Sequence, residues 1–314
     1  TCFGLAFHKC FHKTSLYNDF GLSARPAGSV GIVNLSLGGP VTPVPDFLTA
    51  RLGAKGWPVF RLGLSTTNRP GERTVRAALD QGVNYLFGYA IDTNLNNVVR
   101  GMNADQRSRV LIATGGYNWI FYHTSLKKSL ENALKRLKTD YIDVFHFLGI
   151  IKPKHFPPRI QDELAELRAD GRVRAVAVSC HDRKFAGSLV ANGVVDNLMI
   201  RYNAAHPGAE TEVFPHTAAH NSGVVSYTAT RWRRLLARPK GWPENEPVAT
   251  AGQCYRFVLS NPNVHVALTA PNNEKQLMEN LREVRRGPLP EDEMAFMRRF
   301  GAYVHDHAGW FWGG

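Results

Sequence analysis

The stretch Leu126-Lys-Lys-Ser-Leu-Glu-Asn-Ala-Leu-Lys-Arg-Leu-Lys-Thr-Asp-Tyr-Ile-Asp-Val-Phe-His-Phe147 carries one helix and one strand in immediate succession. Leu126, Leu130, Leu134 and Leu137 recur at helical spacing and define one apolar face, with Thr124 ahead of them as the expected N-cap. Tyr141–Phe147 then reads as a short apolar strand, too short and too β-branched or aromatic to extend the helix.

The same alternation runs outward in both directions. Towards the N-terminus the strand candidates are Phe60–Leu64, Val83–Phe87 and Val110–Thr114. Towards the C-terminus they are Val173–Ser179, Asn197–Ile200, Val224–Thr228 and Val264–Leu268. Helices are expected at 71–79, 161–168 and 273–284, with an extra C-terminal helix over 291–304. Strands alternating with helices make parallel βαβ units, and eight such units close into a (β/α)8 TIM barrel, an α/β fold. The domain reading is an irregular N-terminal arm at 1–58, with one strand at 29–37, followed by the barrel at 59–314. Gly-Gly-Pro and Pro-Val-Pro interrupt the arm, and no long period runs through it.

Composition narrows the class. The chain has 314 residues, 44% of them hydrophobic, which suits one barrel. There is no run of about 18 apolar residues, so no membrane partner is expected. The opening Thr1-Cys2-Phe3 lacks a charged region followed by a clean apolar stretch, so no signal peptide is expected either. Cys2, Cys10, Cys180 and Cys254 suggest no disulfide framework, which makes a reducing cytoplasm the expected location. The net charge of +12 admits a nucleic-acid surface or a basic enzyme drawing an anionic cofactor or substrate. Its one dense cluster, Arg231, Arg233, Arg234, Arg238 and Lys240, comes without any nucleic-acid-binding signature, which favours the enzyme. Oligomeric state stays open.

Several segments, in order and spacing, resemble the aldo-keto reductase superfamily over about 60–305. They are Arg61-Leu-Gly-Leu64, Ala78-Leu-Asp-Gln-Gly-Val-Asn-Tyr85, Ser125-Leu-Lys-Lys-Ser-Leu130, Arg136-Leu-Lys-Thr-Asp-Tyr-Ile-Asp143, Gly171-Arg-Val-Arg-Ala-Val-Ala-Val-Ser179, Arg201-Tyr-Asn203 and Gln276-Leu-Met-Glu-Asn280. The resemblance implies the (β/α)8 barrel and carbonyl reduction with NADPH or NADH. It also implies a catalytic Asp, Tyr, Lys and His, in which a tuned phenol donates the proton. In this chain those four positions fall on Phe87, Asp92, Gly115 and Leu148, so it resembles a divergent branch lacking the usual tetrad. A shift of register brings Tyr89 into the Tyr role, but none supplies a Lys after Thr114.

The cofactor positions are better kept. Ser179 and Cys180 occupy the family's Ser-Asn pair at the nicotinamide carboxamide, and Tyr227 the aromatic position against the ring. Gln276 and Asn280 match residues at the adenosine end. The Ser-Arg pair that holds the 2′-phosphate is Asn272-Asn273 here, which removes a charge-assisted bond and favours NADH over NADPH.

Barrel chemistry sits at the C-terminal strand ends, so the candidate catalytic residues are Tyr89, Asp92, His146 and His181. Each has an alternative reading: Tyr89 and Asp92 as loop residues, His146 as a satisfied core imidazole, and the His181 segment as the approach to a helix capped by Asp182. No metal is expected. Cys2, His8, Cys10 and His12 lack zinc-type spacing, and the pairs His216/His220 and His305/His307 lack a third ligand. Two aromatic runs, 117–122 and 310–312, suit a pocket lining or plain loop packing.

The function expected is an atypical oxidoreductase acting on small carbonyl or dicarbonyl compounds with a nicotinamide cofactor. Two alternatives stand beside it: a non-catalytic or ligand-binding barrel, and a cofactor-independent lyase or hydrolase built on Asp92, His146 or His181.

Overall fold

The computed structural model describes residues 46–89, 92–117 and 125–307. An antiparallel hairpin opens it, β1 (Thr49–Leu52) with β2 (Trp57–Phe60), in the register Thr49↔Phe60 and Leu52↔Trp57. Eight parallel strands then close a barrel: β3 (Leu62–Ser65), β4 (Tyr85–Phe87), β5 (Leu111–Tyr117), β6 (Ile142–Ile150), β7 (Val173–Cys180), β8 (Asn197–Arg201), β9 (Gly223–Tyr227) and β10 (Val266–Thr269). Neighbours in space are neighbours in sequence, and β10 pairs with β3 to complete the ring. All eight expected strands are present.

The helices are α1 (Glu72–Asp80), α2 (Thr93–Arg100), α3 (Ala104–Ser108), α4 (Leu126–Leu137), α5 (Pro158–Ala169), α6 (Arg183–Ala191), α7 (Ala209–Glu212), α8 (Phe214–Ala219), α9 (Ala251–Ser260), α10 (Glu274–Val284) and the C-terminal α11 (Glu291–His307). On α4 the buried stripe is Leu126, Leu130, Ala133 and Leu137, while Leu134 is only half-buried. The cap is Ser125, which accepts from the Lys128 amide, and not Thr124.

The hairpin corrects the reading of the last part of the 1–58 arm, from residue 49 on, as irregular. Its strands are four residues long and contain Pro58, so they carry almost no period. Leu52 and Val59 are buried against the barrel interior and plug its N-terminal end. Gly53, at φ +51°, lies so close that a Cβ there would come within 2.5 Å of the Gly223 amide nitrogen. The strand expected at 29–37 lies outside the described residues.

Two shells of apolar side chains hold the fold together. Residues such as Val144 and Leu148 point into the barrel, while their alternate neighbours Phe145 and Phe147 pack under the helices. At the N-terminal end Asp143, fully buried, collects Ile112 N at 2.9 Å, Arg107 Nη2 at 2.8 Å and Arg174 Nη1 at 2.9 Å. Arg107 also bonds the Val110 and Tyr141 carbonyls, so this ion triad ties three strand starts together. Among the described residues no helix is long and apolar enough to cross a membrane.

Candidate active site

The C-terminal mouth of the barrel is lined by the inward side chains at the strand ends. On β4 to β6 these are Phe87, Gly115 and Leu148, with Tyr89 and Tyr117 above them. Tyr89 stacks on Tyr117 with centroids 5.3 Å apart and meets Phe87 edge-on at 5.3 Å. Burial raises the Tyr89 phenol above its ordinary pKa, opposed in part by a hydrogen bond with Thr67.

His146 lies on the barrel axis below this layer, fully buried and 5.7 Å edge-on from Phe87. Its Nδ1 donates to the Thr114 carbonyl at 3.2 Å, which leaves Nε2 as a bare acceptor with no partner among the described residues. Burial lowers its pKa to about 4, so it is neutral at pH 7. Gly115 sits directly across the β5–β6 ladder from His146. A Cβ at Gly115 would fall 2.0 Å from the His146 carbonyl oxygen. The backbone therefore admits no side chain at the position the resemblance aligned with the family's Lys.

Two catalytic candidates move out of reach. Asp92 is the N-cap of α2: its Oδ1 accepts from Asn94 N at 3.0 Å and Leu95 N at 3.2 Å, and it is 3% exposed. His146 is sealed inside the barrel. Among the cofactor candidates, Cys180 also fails. By strand alternation it faces the helix layer, where its Sγ donates to the Asp182 carbonyl at 3.1 Å. Asp182 caps α6 through the Phe185 amide.

The other half of the mouth is polar. Ser179 on β7, Arg201 on β8 and Tyr227 on β9 point inward, and Arg201 and Tyr227 are register partners. The Tyr227 hydroxyl lies 3.4 Å from His181 Nδ1. Burial raises the Tyr227 phenol well above its usual range, and the Arg201 charge opposes this. Burial, then the Arg201 charge, lowers His181 to about 4. His206, just beyond β8 and 5% exposed, is driven to about 3 by burial and by Arg201, Arg231, His305 and Arg183. Its ring meets His305 edge-on at 5.1 Å. Neither Arg201 nor His206 was among the sequence candidates. Counting alternate residues along β8 from Asn197 would have turned Arg201 inward.

After β9 the chain makes a tight loop in which Arg231, Trp232 and Arg233 all have positive φ, between 48° and 68°. Arg231 is buried and bonds the Val304 carbonyl, and Arg238 bonds the Pro243 and Glu246 carbonyls. Part of the basic cluster thus ties this loop to α11 and to itself.

Past β10, Asn273 caps α10 by accepting from Gln276 N at 3.0 Å. Gln276 Oε1 in turn accepts from the Asn272 amide at 2.9 Å and Asn272 Nδ2 at 3.1 Å. Asn280 Nδ2 donates to Thr269 Oγ1 at 3.0 Å. All four are thus gathered at one strand end and the helix that follows it. Among the described residues no group of three or more His, Cys, Asp or Glu is placed to hold a metal ion. The N-terminal Cys/His set, Trp119, Phe121, Tyr122 and the aromatic residues at 310–312 lie outside the described residues.

A parallel eight-stranded barrel with a half-buried polar wall at its C-terminal mouth defines a barrel enzyme scaffold. The aldo/keto reductase family model matches residues 60–301, and the chain belongs to that family, whose members are oxidoreductases acting on small carbonyl compounds. It is 26% identical over 193 residues to the aldo-keto reductase YhdN of Bacillus subtilis, a match covering 57% of this chain and 57% of that protein. It is 21% identical over 287 residues to the uncharacterized oxidoreductase YqkF of the same organism, covering 78% and 93%. Among solved structures, a holo-form aldo-keto reductase from Bacillus halodurans superposes with a TM-score of 0.67 at 19% identity, covering 80% of this chain and 95% of that one. One from Klebsiella pneumoniae, in complex with NADP and acetate, gives 0.65 at 21% identity, covering 81% and 95%.

Proposed function

We propose that the protein transfers hydride between a nicotinamide cofactor and small carbonyl compounds, with its working groups on the β7–β9 side of the mouth. One observation carries the reading: Ser179 and Tyr227 both face inward at the C-terminal ends of β7 and β9, with the Tyr227 hydroxyl 3.4 Å from His181 Nδ1. A hydroxyl and a half-buried aromatic face so arranged suit the carboxamide and the ring of a nicotinamide. Gln276 and Asn280 on α10 would hold the adenosine end. Asn272 and Asn273 bring no positive charge of their own to a 2′-phosphate, so NADH is the cofactor we favour, although the Klebsiella relative was solved with NADP. Location in a reducing cytoplasm belongs to the same proposal and agrees with the buried free thiols Cys180 and Cys254.

The cofactor, when bound, supplies the hydride. The chain's part is to orient the carbonyl and bring a hydrogen-bond donor to its oxygen. Tyr89 and His181 are the groups we assign to this. The Tyr89 phenol is raised by burial and His181 is neutral at pH 7, so each polarises the carbonyl better than it gives up a proton. With no lysine to tune the phenol, the chemistry suits activated carbonyls such as dicarbonyls more than plain ketones.

Loss of reduced-cofactor absorbance in the presence of dicarbonyls and aldehydes tests the proposal. NADH consumption with a dicarbonyl, faster than with a plain ketone, is expected; no consumption with any carbonyl would overturn it. The filling of the β4–β6 side by Phe87, Gly115 and Leu148 favours a second reading, a barrel that binds its ligand without turning it over. Dispersal of Asp92 into a helix cap and His146 into the core weighs against a lyase or hydrolase.

A further inference from the structure

We infer that a small monovalent anion binds behind the apolar half of the mouth, held by Arg136, Asn96 and Thr114 between α4, α2 and β5. A pocket of about 250 Å³, counted with its opening to solvent, lies on the helix side of β4 and β5. Leu95, Ile112, Ala133 and Leu137 give it an apolar wall. Three polar side chains line the same space, one from each element: Asn96 from α2, Thr114 from β5 and Arg136 from α4. Asn96 is 7% exposed and Thr114 4%, and Arg136 is half-buried with its Nε sealed from solvent. No side chain of the three has a hydrogen-bond or ion-pair partner among the described residues.

The chemistry of these groups selects the occupant. A guanidinium can only donate, and an amide and a hydroxyl can donate beside it, so the pocket offers donors and one positive charge. No carboxylate lines it. Asp92, one turn before Asn96, stays outside the lining, and no acidic group offsets the burial that lowers the Arg136 pKa. A guanidinium against apolar side chains without a counter-charge is costly, and an anion at this point removes that cost. One guanidinium balances a monoanion and leaves phosphate or sulfate over-charged. The bound anion would fasten α2 and α4 to β5, whose Thr114 carbonyl receives His146 Nδ1, and would brace the wall that Tyr89 shares.

Thermal unfolding of the purified full chain in sodium chloride, sodium formate and sodium gluconate tests this, at one ionic strength so that screening of the +12 charge is equal. Gluconate is too bulky to enter. Chloride or formate should raise the midpoint over gluconate by about 3 °C once it stands roughly tenfold above its dissociation constant. The larger of the two shifts tells a halide site from a carboxylate site. Arg136→Gln and Thr114→Val, each checked for folding by circular dichroism, should lose the shift. Crystals grown from sodium bromide should show anomalous scattering from an ion against Arg136, Asn96 and Thr114. Equal midpoints in all three salts would overturn the inference, as would a full shift in folded Arg136→Gln. A bromide-grown crystal with only a water among the three side chains, which needs no variant, would overturn it as well.

Discussion

Around the barrel mouth, β4 to β6 end in Phe87, Gly115 and Leu148, while β7 to β9 end in Ser179, Arg201 and Tyr227. Both halves are built from parallel strands, with one register shift between Phe147 and Ile150 where β6 meets β7, and strand direction does not account for the difference. Side-chain chemistry does. The first half is apolar and packed over a neutral, buried His146, and the second gathers hydroxyls, an imidazole and a guanidinium. A barrel holds its shape through its floor and its two apolar shells, which leaves the residues at the mouth free to vary. In this chain, polarity has left one half of the mouth and collected in the other.

The largest effect should come from the floor. Asp143→Ala strands the buried Arg107 and should cost about 3–5 kcal/mol of stability, read by urea unfolding. A cost under about 1 kcal/mol would mean the triad does not hold the strand starts. Next is the apolar half of the mouth. Gly115→Ala pushes a Cβ into the His146 carbonyl, and Gly115→Lys does the same with a longer chain; each should lose ~3 kcal/mol, and Gly115→Lys should gain no reductase activity. Active, stable Gly115→Lys would erase the distinction between the halves.

Acid provides the third lever. His146 titrates near 6.5 in the unfolded chain and about 4 in the fold, so between those values the unfolded state binds the proton that the folded state refuses. Stability therefore falls as pH drops through that window, by up to about 3 kcal/mol from this residue. The stability of His146→Leu relative to wild type should rise as pH falls from about 6.5 to about 4. A pH-independent difference would show that His146 is not kept neutral. The smallest effect is Ser179→Ala, which should leave stability nearly unchanged and weaken cofactor binding by about 1 kcal/mol. No change in binding would remove Ser179 from the site.

The legible part of this protein is its scaffold. Arg136 to Asp143 and Gly171 to Ser179 stand out in the sequence because they begin β6 and build β7, and Asp143, Arg107 and Arg174 do the fastening. The eight strands and the helices α1, α4, α5, α10 and α11 follow from period, while α2 and α9 did not stand out. The opening hairpin did not, because four-residue strands leave no period to read. The candidate site was only half legible. His181 was named because strand ends mark barrel chemistry, and Ser179 and Tyr227 because the resemblance carries them. Asp92 and Cys180 misled because a cap and an outward-facing thiol look like functional groups until direction is known. Arg201 passed as part of a motif because its importance lies in burial and in its partner across the ladder, which exist only in three dimensions.

The most direct test of the account is titration of NADH and NADPH into wild type, Tyr227→Ala and Phe87→Leu, followed by tryptophan fluorescence. The account predicts saturable binding to wild type and to Phe87→Leu, and marked weakening in Tyr227→Ala. Binding that ignores Tyr227, or no binding of either cofactor at millimolar concentration, would contradict it.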